Sequence, residues 1–426
     1  MKKTVFSWLV AVTILFSSMV DAGENRFGLE LTNIVLSQNH LYDTETLSDF
    51  SKDEWSDTIL VSPSFMLSPV KKLRIYGLTV LAWQRTFHPE DDETDADLSN
   101  AFLCYLGDNA TVYAGLQPFS IGRGFVFEDN TPGLSVDAPL TRKSTLGIKA
   151  AHVKGNSRLY SVDVGFEPGL FEKILVFGAL YHDDDDTTAD LVDAFYIWRT
   201  LWNVNVVPLT MSRGKIFYAG IAADFFAGDF FVKATGIVQH GSMTLSTEDP
   251  DLTRDIRFRS YLADVEISKN FSPSWSMSGI FFVRSGGTAD SSKDSYHTFI
   301  APRPMNYRTV VFSNDQFGPY LNESGFYSQG VVIPGLVAPA LTVSWTPADN
   351  LMVKTLVSML YPFSRPEDGA SFYGWEWDMS FSYKFRRKWE LFGEAGYFDH
   401  GDFFKDEQAK VPEPATRFLG GIKVEF

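Results

Sequence analysis

The last ten residues, numbers 417–426, read R-F-L-G-G-I-K-V-E-F. Successive side chains of an extended strand point to opposite faces. One face would carry Phe418, Gly420, Ile422, Val424 and Phe426. The other face would carry Arg417, Leu419, Gly421, Lys423 and Glu425. This alternation is typical of a strand with lipid on one side and water on the other. A closing strand that ends on an aromatic residue is characteristic of outer-membrane barrels, and it predicts that Phe426 is an assembly signal.

The N-terminal segment has the features of a secretory signal peptide. Lys2 and Lys3 precede an apolar stretch, and small residues flank a cleavage point after Ala22. The apolar stretch is too short to span a bilayer, so residues 1–22 are predicted to be removed. Residues 23–426 contain no comparable apolar stretch. A membrane location would therefore require a closed barrel, since the barrel is the other spanning structure that pairs every backbone group.

The composition agrees with a barrel and excludes several other classes of protein. Aromatic residues make up 15% of the chain and the mean hydropathy is -0.07, as expected when lipid-facing and water-facing residues alternate. The formal net charge of -16 argues against nucleic acid as a partner. The single cysteine, Cys104, excludes an intramolecular disulfide and a multi-cysteine metal site. No linker divides the mature chain, so one barrel domain is predicted.

Alternating segments separated by turn residues predict an all-β transmembrane antiparallel barrel of about 18 strands, with roughly 16 to 20 as limits. Short turns alternate with long connections, and in bacterial barrels the short turns face the periplasm. Residues 190–203 are predicted to form a strand, whereas 86–97, 120–140 and 285–335 are predicted to be long connections. The alternation fails once, because the acidic segment 182–189 falls on the side of the short turns.

Motifs for covalent chemistry are absent from the sequence. The seven histidines are scattered, and the chain has no phosphate loop, no G-x-S-x-G and no C-x-x-C-H haem-attachment motif. No cofactor and no metal site are therefore expected, and the chain is not expected to be an enzyme. The 51-residue connection 285–335 is too long for a plain hairpin loop, which predicts an ordered plug or lid.

Basic side chains recur on strand faces that alternate with apolar residues, which predicts that they line a water-filled lumen. The predicted lumen cations are Arg74, Lys149, Lys233, Arg257, Arg259, Lys354, Lys384, Arg417 and Lys423, with Arg123 in a connection that folds into the mouth. The predicted lumen acids are Glu376, Asp378, Glu390, Glu394 and Glu425. Two interpretations stay open: the charges pair into a network that stiffens the barrel, or the cations form a ladder that guides anionic substrates.

Three segments carry motifs of a known family. Residues 374–378 read G-W-E-W-D, and residues 396–404 read G-Y-F-D-H-G-D-F-F. They are similar to the G-x-E-x-D strand and the G-Y-F-x-x-G-D-F motif of the alginate-export family of outer-membrane barrels. Residues 112–122 resemble its G-R-Q strand, with Leu116 where that motif has Arg. The resemblance implies a monomeric barrel of about 18 strands that passes an anionic polyuronate through a basic lumen.

The sequence thus predicts a channel in the outer membrane of a Gram-negative bacterium, for polar, anionic solutes or an exported polysaccharide such as a polyuronate. The predicted partners are outer-membrane lipid, the barrel assembly machinery, the transported solute and a periplasmic export or cytochrome protein. Three alternatives stay open: a barrel that sheathes a periplasmic multihaem cytochrome, an outer-membrane enzyme with a Ser/His pair, and a structural or adhesive barrel without flux.

Overall fold

The computed structural model describes most of the chain after residue 25. The described residues are 26–41, 52–87, 90–153, 157–169, 171–185, 211–246, 254–287, 295–302, 309, 335–365, 370–386, 388–404 and 413–426. Their strands are β1 (Arg26–Leu41), β2 (Lys52–Val70), β3 (Leu73–Phe87), β4 (Glu90–Leu106), β5 (Thr111–Ile121), β6 (Phe127–Thr141), β7 (Ser144–His152), β8 (Arg158–Phe166), β9 (Lys173–Asp185), β10 (Met211–Ala227), β11 (Phe230–Ser246), β12 (Arg254–Ser272), β13 (Trp275–Arg284), β14 (Ser295–Tyr296), β15 (Leu336–Ala348), β16 (Leu351–Leu360), β17 (Gly374–Arg386), β18 (Trp389–His400) and β19 (Ala415–Glu425). The predicted signal peptide, residues 1–22, lies outside the described residues and stays a prediction.

Antiparallel pairing closes these strands into a barrel. Each wall strand pairs with the next, and β1 pairs with β19, which leaves the wall without an open edge. The two-residue β14 lies outside this order, because it pairs in parallel with β12 while β13 pairs directly with β15. Eighteen of the nineteen strands in the described residues therefore form the wall. The predicted fold class is confirmed.

The largest differences between the strand assignment and the sequence prediction are in three places. Residues 127–141 form β6, within the predicted connection 120–140, and β4 begins at Glu90, within the predicted connection 86–97. The predicted strand 190–203 lies outside the described residues, and β9 pairs directly with β10. With β6 in the wall, the turn between β8 and β9 lies at the same end as the other tight turns. The exception in the alternation of turns and connections therefore disappears.

The outer face of the wall is apolar. On β17, the side chains of Trp375, Trp377 and Met379 are exposed, whereas Glu376 and Asp378 between them are buried on the inner face. Other strands expose large apolar side chains in the same way, among them Leu103, Ile148, Phe217, Ile221, Phe281, Trp345 and Phe418. A closed barrel with such a surface is stable in a bilayer, where lipid covers the apolar side chains. No helix among the described residues is long and apolar enough to cross a membrane.

The interior near the long connections is also apolar. Residues 122–126, between β5 and β6, and residues 297–301, after β14, pack inside the wall. Phe125, Val126, Phe299 and Ile300 are almost fully buried, and they belong to one cluster with inward-facing side chains of the wall. These two connections therefore narrow the lumen, and they give the wall strands around them an apolar inner face.

Candidate conduction pathway

Residues 297–301 are fixed to the inner wall by a clamp on Ile300. The Gln239 side chain accepts a hydrogen bond from the Ile300 backbone N–H, at 3.0 Å, and donates one to the Ile300 carbonyl, also at 3.0 Å. The Tyr218 hydroxyl donates a second bond to that carbonyl, at 3.0 Å. Ser285 holds the start of the segment, because its hydroxyl donates to the His297 carbonyl at 2.7 Å. Residues 297–301, which belong to the predicted plug 285–335, are thus held against the inner wall. The role of 285–335 as a plug or lid stays a prediction.

The second inserted connection carries Arg123 into the lumen. Gly122, Arg123 and Gly124 all have positive φ angles, of 63°, 58° and 88°. Arg123 is the one non-glycine residue with positive φ among the described residues. This tight turn directs its guanidinium towards β10, where Nη2 lies 2.7 Å from Oδ1 of Asp224. Both side chains keep some exposure, 25% and 21%.

Further basic side chains lie near this ion pair. In the strand register, Asp224 is flanked by Lys173 of β9 and Lys233 of β11, and Lys233 is followed by Glu266 of β12. Paired residues in an antiparallel sheet project from the same face, so these side chains form one inward-facing row. Arg123, Lys173 and Lys233 face two acids, which leaves one positive charge in excess.

Lys149 lies on the inner face of β7, apart from the row around Asp224. Its Nζ lies 3.2 Å from Oδ2 of Asp163 and 3.2 Å from the backbone carbonyl of Ser120, next to the inserted connection. Asp137 is on the same inner face, one strand away, since it pairs with Gly147, which itself pairs with Asp163. Charges of both signs therefore alternate along this part of the wall.

Three of the five predicted acids of the C-terminal strands form a buried group. Glu376, Asp378 and Glu394 lie on the inner faces of β17 and β18, at 0%, 5% and 7% exposure, and Arg417 of β19 is also buried. Gly396 is the register partner of both Asp378 and Arg417, which places the Arg417 side chain on the same inner row as Asp378. This arrangement agrees with the structural interpretation, in which lumen charges pair and stiffen the wall.

Near the tight turns, the predicted lumen residue Lys423 forms an ion pair between β19 and β1, the strands whose pairing closes the barrel. Its Nζ lies 2.7 Å from Oε2 of Glu30 on β1 and 3.7 Å from Oε1 of Glu425. Lys384 and Glu390 are register partners on β17 and β18, and Glu390 pairs in turn with Lys423. These side chains form a row of both charges across β17, β18, β19 and β1 at the turn end of the lumen.

Three other predicted residues take positions on the wall. Arg74 faces inward beside Cys104, its register partner. Lys354 faces inward between Ser344 and Ser380. Phe426 follows β19, where its side chain is 60% exposed and its backbone N–H donates to the Leu29 carbonyl at 2.9 Å. Its role as an assembly signal stays a prediction.

The structure corrects the prediction for Arg257 and Arg259, because both lie on the outer face of β12. Ile256 and Phe258, which alternate with them, are fully buried in the interior cluster. The prediction assigned apolar residues to the lipid side. That assignment reverses here, since the inserted connections make the lumen apolar at this height.

Several inward residues were absent from the sequence prediction. Lys173, Asp163 and Asp224 carry charge near Arg123 and Lys149, and Gln239 holds the inserted segment. Strand parity could have identified the first three. Nothing in the local sequence marks Gln239, whose partner Ile300 is 61 residues away.

The family-like motif in residues 396–404 has a structural role. The Asp402 carboxylate accepts hydrogen bonds from the backbone N–H groups of Ser371 and Phe372, with Oδ1 at 3.1 and 2.7 Å. A Cβ on Gly401 would lie 2.2 Å from the Phe372 carbonyl oxygen. Glycine is therefore required where the connection before β17 packs against the one after β18. The described residues contain no group of three His, Cys, Asp or Glu side chains suited to hold a metal ion.

Comparison of the structure with solved structures identifies the fold. OccK2 (OpdF) of Pseudomonas aeruginosa in complex with glucuronate matches with a TM-score of 0.55 and 10% identity, over 95% of this chain and 98% of that chain. The chain has the fold of outer-membrane barrels. OpdK of the same organism with vanillate matches with a TM-score of 0.53 and 8% identity, over 94% and 99% of the two chains. OccK11 (OpdR) matches with a TM-score of 0.52 and 9% identity, over 95% and 96%.

The structural similarity covers nearly the whole chain, whereas the sequence similarity is low. No protein-family model matches the chain, and no curated protein matches its sequence. OpdK is named as an outer membrane protein. Together with the lipid-facing apolar surface, this fold places the protein in the outer membrane of a Gram-negative bacterium, as predicted.

Proposed function

We propose that this protein is an outer-membrane channel for small polar solutes that carry a carboxylate group. The observation that carries the proposal is the position of Arg123 in the lumen. A non-glycine residue in the left-handed region costs energy and persists where its surroundings hold it, often at functional sites. Here the strained turn positions a guanidinium on the pathway, where its planar donors suit a carboxylate.

The contacts of Arg123 are compatible with solute binding. Asp224 contacts it through Nη2, and the side chain remains 25% exposed. A guanidinium has further N–H donors, which a passing carboxylate can accept from. Lys173 and Lys233 flank Asp224 in the register and add positive charge at the same height. Charges that line a narrow, low-dielectric pathway determine selectivity more than the net charge of the chain does.

The structural neighbours support the same class of solute. The ligands named with OccK2 (OpdF) and OpdK are glucuronate and vanillate, and both bear a carboxylate. At identities of 10% and 8%, these neighbours support only the fold. The proposed solute class therefore rests on Arg123 and on the basic side chains of Lys173 and Lys233 beside it.

An exported polyuronate is the second candidate, and the motifs at 374–378 and 396–404 favour it. A polyuronate carries a carboxylate on each sugar and could use the same basic row. We rank it below a small solute for two reasons. Glu376 and Asp378 of the motif are buried on the inner wall, and residues 122–126 and 297–301 narrow the lumen that a polymer would occupy.

Liposome swelling with purified protein tests the proposal. Glucuronate should enter faster than glucose, a neutral sugar of similar size. Arg123→Ala should lower the glucuronate rate several-fold and leave the glucose rate unchanged, whereas Lys72→Ala, which removes a charge in a tight turn, should change neither. Equal entry of the two solutes into wild-type liposomes would refute the proposal. Block of single-channel current that lengthens with the size of an oligouronate would favour the polysaccharide instead.

A further inference from the structure

The outer face of β8–β12 carries basic side chains at the end of the barrel with the long connections. Register pairing aligns Arg158, His182, Lys215, Ser242 and Arg257 across five neighbouring strands. His240 and Arg259 are register partners, one row closer to the tight turns. We call Arg158, His182, Lys215, His240, Arg257 and Arg259 the outer basic patch. All of them except His182 are exposed, and His182 is half-buried.

The patch borders the lipid-facing band. On β10, the outward residues from Phe217 to Ala227 are all apolar. They span roughly 34 Å along the strand, at about 3.4 Å per residue. A strand tilt of about 40° converts this length to a height of roughly 26 Å, close to the apolar band of about 25 Å in outer-membrane barrels. Lys215 is the next outward residue, so the row of Arg158, Lys215 and Arg257 lies at the edge of the hydrocarbon region. His240 and Arg259 share the register row of Phe217, the first apolar residue of the band.

The long connections identify which edge this is. Short turns face the periplasm and longer loops face the outside in bacterial barrels. The patch lies at the ends of β9 to β12 marked by Asp185, Met211, Ser246 and Arg254, opposite the tight turns at 228–229 and 273–274. It therefore lies at the level of the lipid headgroups in the outer leaflet.

We propose that the outer basic patch binds the phosphate groups of a phosphorylated glycolipid in the outer leaflet, the lipid A part of lipopolysaccharide. Arg and Lys suit phosphate by charge and by hydrogen bonding. The next register row away from the band pairs Arg213 with Asp184 of β9 and with Thr244 of β11. Thr244 pairs in turn with Asp255 of β12, and its hydroxyl donates to the Asp255 carboxylate. The cations closest to the acyl chains thus lie on the membrane side of both acids, where lipid phosphates are found.

This site is separate from the proposed conduction pathway, since its side chains project from the opposite face of the wall. Binding at the patch would anchor the barrel at a fixed height in the membrane.

Native mass spectrometry of the full-length purified protein tests the proposal, with bisphosphorylated lipid A as the probe and dephosphorylated lipid A as its control. Wild type should retain the bisphosphorylated form preferentially. The variant Arg158→Ser/Lys215→Ser/Arg257→Ser should bind it roughly 100-fold more weakly, since each basic side chain near an anionic surface contributes about fivefold. The matched variant Lys72→Ser/Lys269→Ser/Lys388→Ser removes the same charge at the turn end and should bind as wild type does.

Equal retention of both lipids by wild type would overturn the proposal, and so would an equal loss in the two triple variants. Folding is checked by heat-modifiable migration. If the patch triple variant fails to fold, the three single substitutions replace it, each with an expected loss of about fivefold. Ion selectivity in planar bilayers should be the same for the patch variants and wild type, so this result and the test of the conduction pathway are independent.

Discussion

Gln239→Leu is expected to release residues 297–301 from the inner wall and to raise the conductance of the channel. Leucine has a similar volume and keeps the wall packed, but it can neither accept a hydrogen bond from the Ile300 N–H nor donate one to the Ile300 carbonyl. The Tyr218 hydroxyl remains as a donor to that carbonyl. The N–H, in contrast, loses its partner in a site where Ile300 is fully buried.

The size of the effect follows from these contacts. A hydrogen bond contributes a net of about 0.5–1.5 kcal/mol, and leaving a buried donor unpaired costs about 1–3 kcal/mol. The loss of one bond to the carbonyl and the orphaned N–H together weaken docking by roughly 2–4 kcal/mol. The population of the undocked segment should therefore rise roughly 30- to 700-fold.

Single-channel recording in planar bilayers measures this shift as longer or more frequent high-conductance events. Gln117→Leu is a matched control, because Gln117 is an equally buried inward glutamine whose amide donates to the Gly133 carbonyl at 3.1 Å. Ser135 donates to Gln117 as Ser260 does to Gln239. The control thus removes a similar hydrogen-bond network that does not hold residues 297–301.

Two results would contradict this reasoning. If a normally folded Gln239→Leu channel has wild-type conductance, the inserted segment does not limit the pathway. If Gln117→Leu raises conductance as much, the increase comes from a general softening of the wall and not from release of residues 297–301.

Three further predictions concern assembly, selectivity and packing. Deletion of Phe426 should sharply lower the amount of heat-modifiable folded barrel in the outer membrane without affecting export across the inner membrane; equal amounts would refute an assembly role. Arg257→Ala/Arg259→Ala should leave the reversal potential in a salt gradient unchanged, because both side chains lie on the outer face; a shift would place them in the pathway. Gly401→Ala should lower the temperature at which the folded band is lost, since its Cβ would meet the Phe372 carbonyl, whereas Gly169→Ala, with nothing within 4 Å, should not; equal temperatures would contradict the packing argument.

The sequence predicted the C-terminal strands well because their two faces differ along their whole length. In β17, large apolar side chains alternate with Glu376 and Asp378, so one face must lie in lipid and the other in the interior. The same reasoning holds for β19, where Arg417 and Leu419 are buried and Phe418 is exposed. Local alternation decides the orientation wherever the lumen is polar.

Local alternation failed where tertiary contacts determine the character of the lumen. On β12, the apolar side chains of Ile256 and Phe258 face inward because residues 297–301 pack inside the barrel. This contact joins segments far apart in the sequence, and no periodicity reports it. β6 was missed for a different reason: Pro132, Pro139 and several acids weaken its strand pattern, although it pairs with both β5 and β7 in the structure, with a register shift near Pro139.

The two kinds of lining occur in a fixed order along the pathway, and this order bears on selectivity. The clamp on Ile300 lies opposite Tyr218 of β10, whereas Arg123 binds Asp224, which is closer to the tight turns on the same strand. A solute that enters from the side of the long connections meets the apolar cluster first and the basic row second.

Bare inorganic anions gain nothing from an apolar lining and keep their desolvation cost. An organic carboxylate can bury its carbon skeleton there while its charge reaches Arg123. Under the proposed function, this order favours organic carboxylates over chloride. The permeability ratio of an organic carboxylate to chloride should therefore fall in Arg123→Ala. An unchanged ratio would show that Arg123 does not contribute to this preference.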